Sequence, residues 1–296
     1  MYKLFLLLII LLIIPFTLAE EEDCGITHLA TCIPQKLVEF IITIFNAPLE
    51  SLLHNIQNFL TEPVRIEQFK GLWQIVMYVL SLFYGLFLLF AGYTFMISGY
   101  DAVKRETAKE WLKNIIFMII FVQASYFLYE AILEIGASLT TGVFRLIDPS
   151  FFLLRADSIP SVGLQLVFSV FYILTLFITL IFLFMRYFLV SLGVVLFPLG
   201  LFLYFIPPLK AYGRLIIEGI LILIFLPFIH SLILLVGSKL LELPSVENLK
   251  ILVMIGTFTL VNLSMILLIL FSAFKAVNYV GGIGSSVSKT AKYFTG

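Results

Sequence analysis

The sequence predicts an all-α polytopic transmembrane helical bundle, five crossings being preferred over six, behind a signal peptide and external amphipathic helices. Three observations carry that prediction. Hydrophobic residues make up 61% and charged residues only 12% of the 296 positions, where a soluble domain carries about 45–50% and ~25%. Mean hydropathy is +1.13. Several apolar tracts exceed the roughly 20 residues that a helix needs to cross hydrocarbon, and basic residues gather one-sidedly in the loops between them.

At the start, Lys3 precedes an apolar run from Leu4 to Ile14, and Pro15 and Ala19 lead into Glu20, Glu21, Glu22 and Asp23. The run is short for a crossing and reads as a secretory signal over 1–19, cleaved after Ala19 or else retained as an anchor. Cys24 and Cys32 follow on the exported side, where an oxidising compartment favours one disulfide closing a small loop. Two free thiols or a metal pair suit them less well, because His28 is the sole nearby imidazole and a structural zinc wants four ligands.

The segment 20–71 is polar enough to lie outside the bilayer, yet it carries Leu37, Phe40, Ile41, Ile44 and Phe45, then Leu49, Leu52, Leu53, Ile56, Phe59 and Leu60 at helical spacing. Asn46, Ala47 and Pro48 interrupt the pattern. Two amphipathic helices are expected, lying on the outer face or docked as a hairpin on the membrane domain.

That membrane domain spans 72–274. Leu72–Ser98 and Asn114–Ile135 read as its first two crossings, and Lys104, Arg105, Lys109 and Lys113 mark the loop between them as cytoplasmic. Gly136–Gly163 reads as an external connection in which Arg145, Asp148, Arg155 and Asp157 cancel. The tract from Leu164 to Ile206 is about twice the length of one crossing and is broken only by Arg186. Two full crossings there would leave Lys210, Arg214, Lys275, Lys289 and Lys292 outside. One crossing down to Arg186, then a re-entrant or surface segment with helix breaks at Gly193, Pro198 and Gly200, puts all five inside and is preferred. Leu215–Gly237 and Ile251–Phe274 complete the set, separated by a short link around Pro244, and the small polar residues of 275–296 are expected to form a flexible cytoplasmic tail.

No catalytic, cofactor-binding or metal-binding residue is assigned, and no cofactor is expected. Gly281 to Thr290 has the outline of a phosphate loop, but Ser288 stands where a glycine should precede Lys289, and the segment follows a membrane helix instead of a strand. His28, His54 and His230 lack zinc-protease spacing, and no Gly-x-Ser-x-Gly elbow occurs. Lys plus Arg and Asp plus Glu both number 18, so no basic nucleic-acid-binding surface is predicted. A translocated strand passing through an assembly remains compatible with that balance.

Polar residues inside the apolar tracts are the better candidates, since a central charge costs about 2.5–3.5 kcal/mol on insertion scales. The candidate pore or polar path comprises Arg186, Pro198, Glu130, Glu134, Arg214, Glu218 and His230. Arg214 and Glu218, four apart, suit a salt bridge. Glu130 and Glu134 share a helix face and repel, so water, a pore mouth or the external loop is their expected neighbour. Arg186 either snorkels to the headgroups or lines an interior cavity. His230, Gln123 and Asn262 suit interhelical hydrogen bonds, with transport roles as the alternative, and Gly85, Ala91, Gly92, Ser98 and Gly99 are expected at helix contacts. Aromatics, 16% of the chain, read as lipid-facing bulk and interface belt.

Two stretches carry a likeness. Met185-Arg186-Tyr187 through Gly193, Pro198-Leu-Gly200, Ile206-Pro207-Pro208 and the helix reaching Pro227 form one; Ala91-Gly92-Tyr93 through Ser98-Gly99, then Lys104 to Trp111, form the other. Together they resemble the TrbL/VirB-type polytopic inner-membrane subunit of type IV secretion systems, a group that includes archaeal CedA-like DNA-import membrane proteins. The likeness covers about Gly71 to Phe274, and Tyr212 stands where that family often has a tryptophan. It implies a non-enzymatic channel or scaffold subunit, a homo-oligomer working with a secretion-type ATPase and pilus subunits, with DNA as a possible cargo. The competing reading is a self-contained secondary transporter of a small solute, marked by paired broken helices in two repeats. A lipid-metabolising membrane enzyme ranks third, for want of clustered His, Asp and Glu at helix ends.

Overall fold

The structure is a computed structural model and describes residues 49–100, 102–153, 162–243, 246 and 249–295. The signal segment, Cys24, Cys32 and the first amphipathic stretch lie outside the described residues. All regular structure among the described residues is helical: α1 (49–61), α2 (Lys70–Ile97), α3 (Ala102–Gln123), α4 (Ser125–Phe144), α5 (Val162–Phe205), α6 (Lys210–Leu240) and α7 (Lys250–Thr295). Five helices are long and apolar enough to cross a membrane, over Ile66–Ile97, Ser125–Phe144, Val167–Phe205, Pro207–Leu240 and Lys250–Ser272. The expected multi-pass helical fold and its count of five agree with this.

Three boundaries differ from expectation, each for a physical reason. The tract 164–206 does not break at Gly193, Pro198 or Gly200: α5 is one helix of 44 residues that carries Pro198 inside it, and no glycine among the described residues has a positive φ. A proline removes one intrahelical hydrogen bond without ending a helix whose neighbours hold it. The connection expected from Gly136 begins later, because α4 stays helical through Phe144. Nor is α4 separated from α3 by more than a hitch, since Ala124 N donates to Ile120 O and Leu128 N to Ala124 O, both at 3.0 Å. Lastly, the tail expected to be flexible belongs to α7, a helix of 46 residues. Gly281, Gly282 and Gly284 each cost about 1 kcal/mol there relative to alanine, a local penalty that contains no proline to stop propagation.

Packing divides the chain into two compact units. The first gathers the described residues up to Glu62, with Leu139–Phe184 and Pro227–Met265. In it α1 buries Leu49, Ile56 and Leu60 along one stripe. The Phe59 ring meets Phe184 edge-on at 6.3 Å. Tyr172, fully buried, donates to the Phe152 carbonyl at 3.2 Å and packs edge-on against Phe258 at 5.9 Å. The second unit comprises Pro63–Ser138, Met185–Leu226 and residues from Ile266 onward. Its core includes Leu80, Met118, Val122, Tyr129, Val190 and Ile224.

Within that unit α2 is apolar on all sides, and Leu82, Leu86, Leu89, Met96 and Ile97 are exposed. A helix of that kind needs lipid or another apolar partner around it. Its hairpin partner α3 is held by Phe90 on Trp111, 5.4 Å between ring centres, and Arg105 donates to the Gly99 carbonyl at 2.7 Å, closing the end of the turn.

Candidate functional site

Lipid is as apolar as leucine, so helices in a membrane are held together by close packing and by polar contacts. Both occur around Arg186. On α5, Arg186, Val190 and Gly193 follow at i, i+4 and i+7 and so share one face. Arg186 is 7% exposed. Its Nε donates to the Leu223 carbonyl at 2.8 Å, and a terminal nitrogen reaches the Ile224 carbonyl at 3.4 Å.

Those acceptors have a cause in the sequence. Pro227 stands inside α6 and has no N–H, so the Leu223 carbonyl, four residues earlier, loses its intrahelical donor. A carbonyl left unsatisfied in hydrocarbon costs several kcal/mol. Arg186 supplies the missing N–H, and the intramembrane cation gains in exchange the acceptors that its own burial demands.

Next to it, the Tyr129 hydroxyl donates to the Val190 carbonyl at 2.5 Å, and the ring lies 5.4 Å from that of Phe197. Gly193 makes the approach possible: a Cβ there would overlap the Tyr129 Oη and stand 2.9 Å from Cζ. Gly136 serves α6 in the same way, where a Cβ would lie 3.0 Å from Ile224 Cγ2. The arrangement is a buried polar knot joining α4, α5 and α6 through backbone carbonyls.

A second polar group of the same unit joins α6 to α7. Arg214 Nε donates to Glu218 Oε1 at 2.5 Å, and Lys275 pairs with Glu218 Oε2, so both carboxylate oxygens are engaged. In the first unit, His230 is fully buried with Nε2 at 3.0 Å from Ser264 Oγ. Asn262 donates from Nδ2 to the Thr175 carbonyl at 3.4 Å.

The predicted residues therefore separate. Arg186 is interior and does not snorkel. Pro198 is buried within α5. Arg214 and Glu218 come together, while His230 belongs to the other unit. Glu130 is half-buried and Glu134 exposed on α4. Of the expected packing residues, Ala91 and Ser98 are buried, at 2% and 1% exposure, but a Cβ on Gly85, Gly92 or Gly99 would meet nothing within 4 Å. The contact glycines are instead Gly136, Gly193, Gly200, Gly213 and, in the first unit, Gly237 against Thr257.

Sequence reasoning missed Tyr129, Pro227 and Lys275. Arg186 with a glycine seven residues later was the available signal for the first, and an internal proline four residues past a helix carbonyl was the signal for the second. Among the described residues no group of three or more His, Cys, Asp or Glu converges on a common centre. Comparison with protein-family models, with curated proteins and with solved structures finds no match for this chain.

Proposed function

We propose that this chain is a membrane-embedded, non-catalytic channel or scaffold subunit of a type IV secretion-like machine for conjugation or DNA import, energised by a separate ATPase. The observation that carries the reading is Arg186. Its guanidinium is buried between apolar helices and donates to backbone carbonyls of α6, and intramembrane cations mark transport paths and their supports. The all-round apolar surface of α2 supports assembly with other membrane subunits, further copies of this chain among them. The resemblance of 71–274 to the TrbL/VirB-type subunits supplies the rest: a secretion-type ATPase and pilus subunits as partners, DNA as cargo, and a cell-membrane location with the N-terminus outside and the C-terminus inside.

Isolation of the protein from native membranes in mild detergent tests this. A secretion-type ATPase or pilus subunit co-purifying with an oligomer is the expected result, and a lone chain that moves or converts a small solute unaided would overturn it. The alternative, a secondary transporter, calls for paired broken helices, whereas α5 and α6 run helical through Pro198 and Pro227.

A further inference from the structure

Within the first unit, α1, the end of α4, the turn Pro149–Phe152 and α6 border a cavity of about 300 Å³. Its walls are apolar. Leu53 and Ile56 come from α1, Phe144 and Phe152 stack with ring centres 5.9 Å apart and planes at 13°, and Leu234 comes from α6. One edge is polar: Glu50, His54 and Gln57 follow at i, i+4 and i+7 on α1, share a face, and all line the cavity. The volume holds about ten groups of water or methylene size, at ~30 Å³ each.

The polar edge offers acceptors that the fold leaves open. No hydrogen bond or ion pair among the described residues engages the side chains of Glu50 or Gln57, whereas His54 Nε2 lies 3.2 Å from Asn58 Nδ2 on its own helix. A carboxylate and an amide carbonyl both accept, and among the described lining residues the Glu50 carboxylate carries the full charge at pH 7. Two apolar spans end beside the cavity, one at Phe144 and the other at Leu240, six residues past Leu234. An apolar pocket with a charged edge, placed at the ends of membrane spans, is complementary to an apolar chain with a cationic head.

We propose that this cavity binds an alkyl chain bearing a primary ammonium, the chain lying between Phe144, Phe152 and Leu234 and the ammonium donating to Glu50 and Gln57. A primary ammonium brings three donors and one positive charge. A carboxylate beside an amide carbonyl complements both properties, and it repels an alkyl carboxylate of the same length. The site stands independently of what the protein conducts.

The purified full chain in phosphatidylcholine nanodiscs provides the test, with a diazirine-bearing decylamine as photoaffinity probe and the labelled peptides read by mass spectrometry. Saturable labelling of α1 and of Pro149–Phe152 is expected, displaced by excess decylamine and not by decanoate or decyltrimethylammonium. Glu50→Gln, at an exposed position, should lower labelling about fivefold. Glu62→Gln, just past α1 and outside the cavity lining, should leave it unchanged. Equal labelling by a decanoate probe would overturn the proposal, as would labelling that Glu50→Gln does not alter. So would label spread along the exposed faces of α2, the mark of simple partition into lipid. Replacing part of the phosphatidylcholine by phosphatidylethanolamine distinguishes two sources of the same chemistry: loss of labelling assigns the site to a membrane aminophospholipid, and persistence assigns it to a free alkylamine.

Discussion

Tyr129 reaches the α5 backbone across the bare face of Gly193: its hydroxyl donates to the Val190 carbonyl, and any Cβ on Gly193 would occupy the place of the hydroxyl oxygen. The ring is 1% exposed and has nowhere to swing. Gly193→Ala should therefore cost about 1–3 kcal/mol, the usual range for overpacking. Tyr129→Phe removes the most severely overlapping atom and should recover part of that loss. Thermal unfolding of the two single variants and the double variant in detergent measures the coupling. Additive effects would show that the two residues do not meet.

Arg186 and Pro227 make a compensating pair of a different kind. Because Pro227 deprives Leu223 of its intrahelical donor, Arg186→Leu should leave that carbonyl unsatisfied and destabilise the protein by about 1–3 kcal/mol. In a Pro227→Ala background the helix supplies its own N–H, so the same Arg186→Leu change should cost markedly less. Equal costs in the two backgrounds would show that Arg186 does not serve the proline-freed carbonyl.

Composition and apolar run length made the helical membrane fold legible, because the cost of burying backbone polar groups in lipid leaves few alternatives to spanning helices. The ends of helices were less legible. Gly193 and Pro198 read as breaks because each weakens a helix locally, yet in α5 the glycine's missing side chain is filled by Tyr129 and the helix runs on. The Arg214–Glu218 pair was readable, being four residues apart on one helix. Lys275, the other partner of Glu218, lies 57 residues away, and only tertiary structure brings it there.

Glycine position, rather than glycine number, should decide substitution effects. A Cβ on Gly213 would overlap the backbone nitrogen of Tyr204 and stand 2.6 Å from the Gly200 carbonyl oxygen. Backbone cannot rotate aside as a side chain can, so Gly213→Ala should lose folded protein outright. Gly85→Ala and Gly92→Ala, on open faces of α2, should be neutral or stabilising by up to about 1 kcal/mol. Yield and thermal midpoint of the three variants separate the two classes; a harmful Gly92→Ala would reveal a partner seated on α2.

The part of α7 beyond its apolar span is basic, and that charge predicts its direction. Lys275, Lys289 and Lys292 follow the apolar span Lys250–Ser272 on its C-terminal side, while Lys104, Arg105, Lys109 and Lys113 crowd the α2–α3 turn and the start of α3. If all five apolar helices cross, alternation puts both groups on one side of the membrane, and the positive-inside rule predicts that side to be cytoplasmic. A Ser285→Cys protein should react with a membrane-impermeant thiol reagent only after the membrane is opened. The native Cys24 and Cys32 would be replaced by serine first, so that any signal reports position 285. Labelling of intact cells would place the C-terminus outside, require an even number of crossings after an exported N-terminus, and so split the 44-residue α5 into two passes in the living membrane.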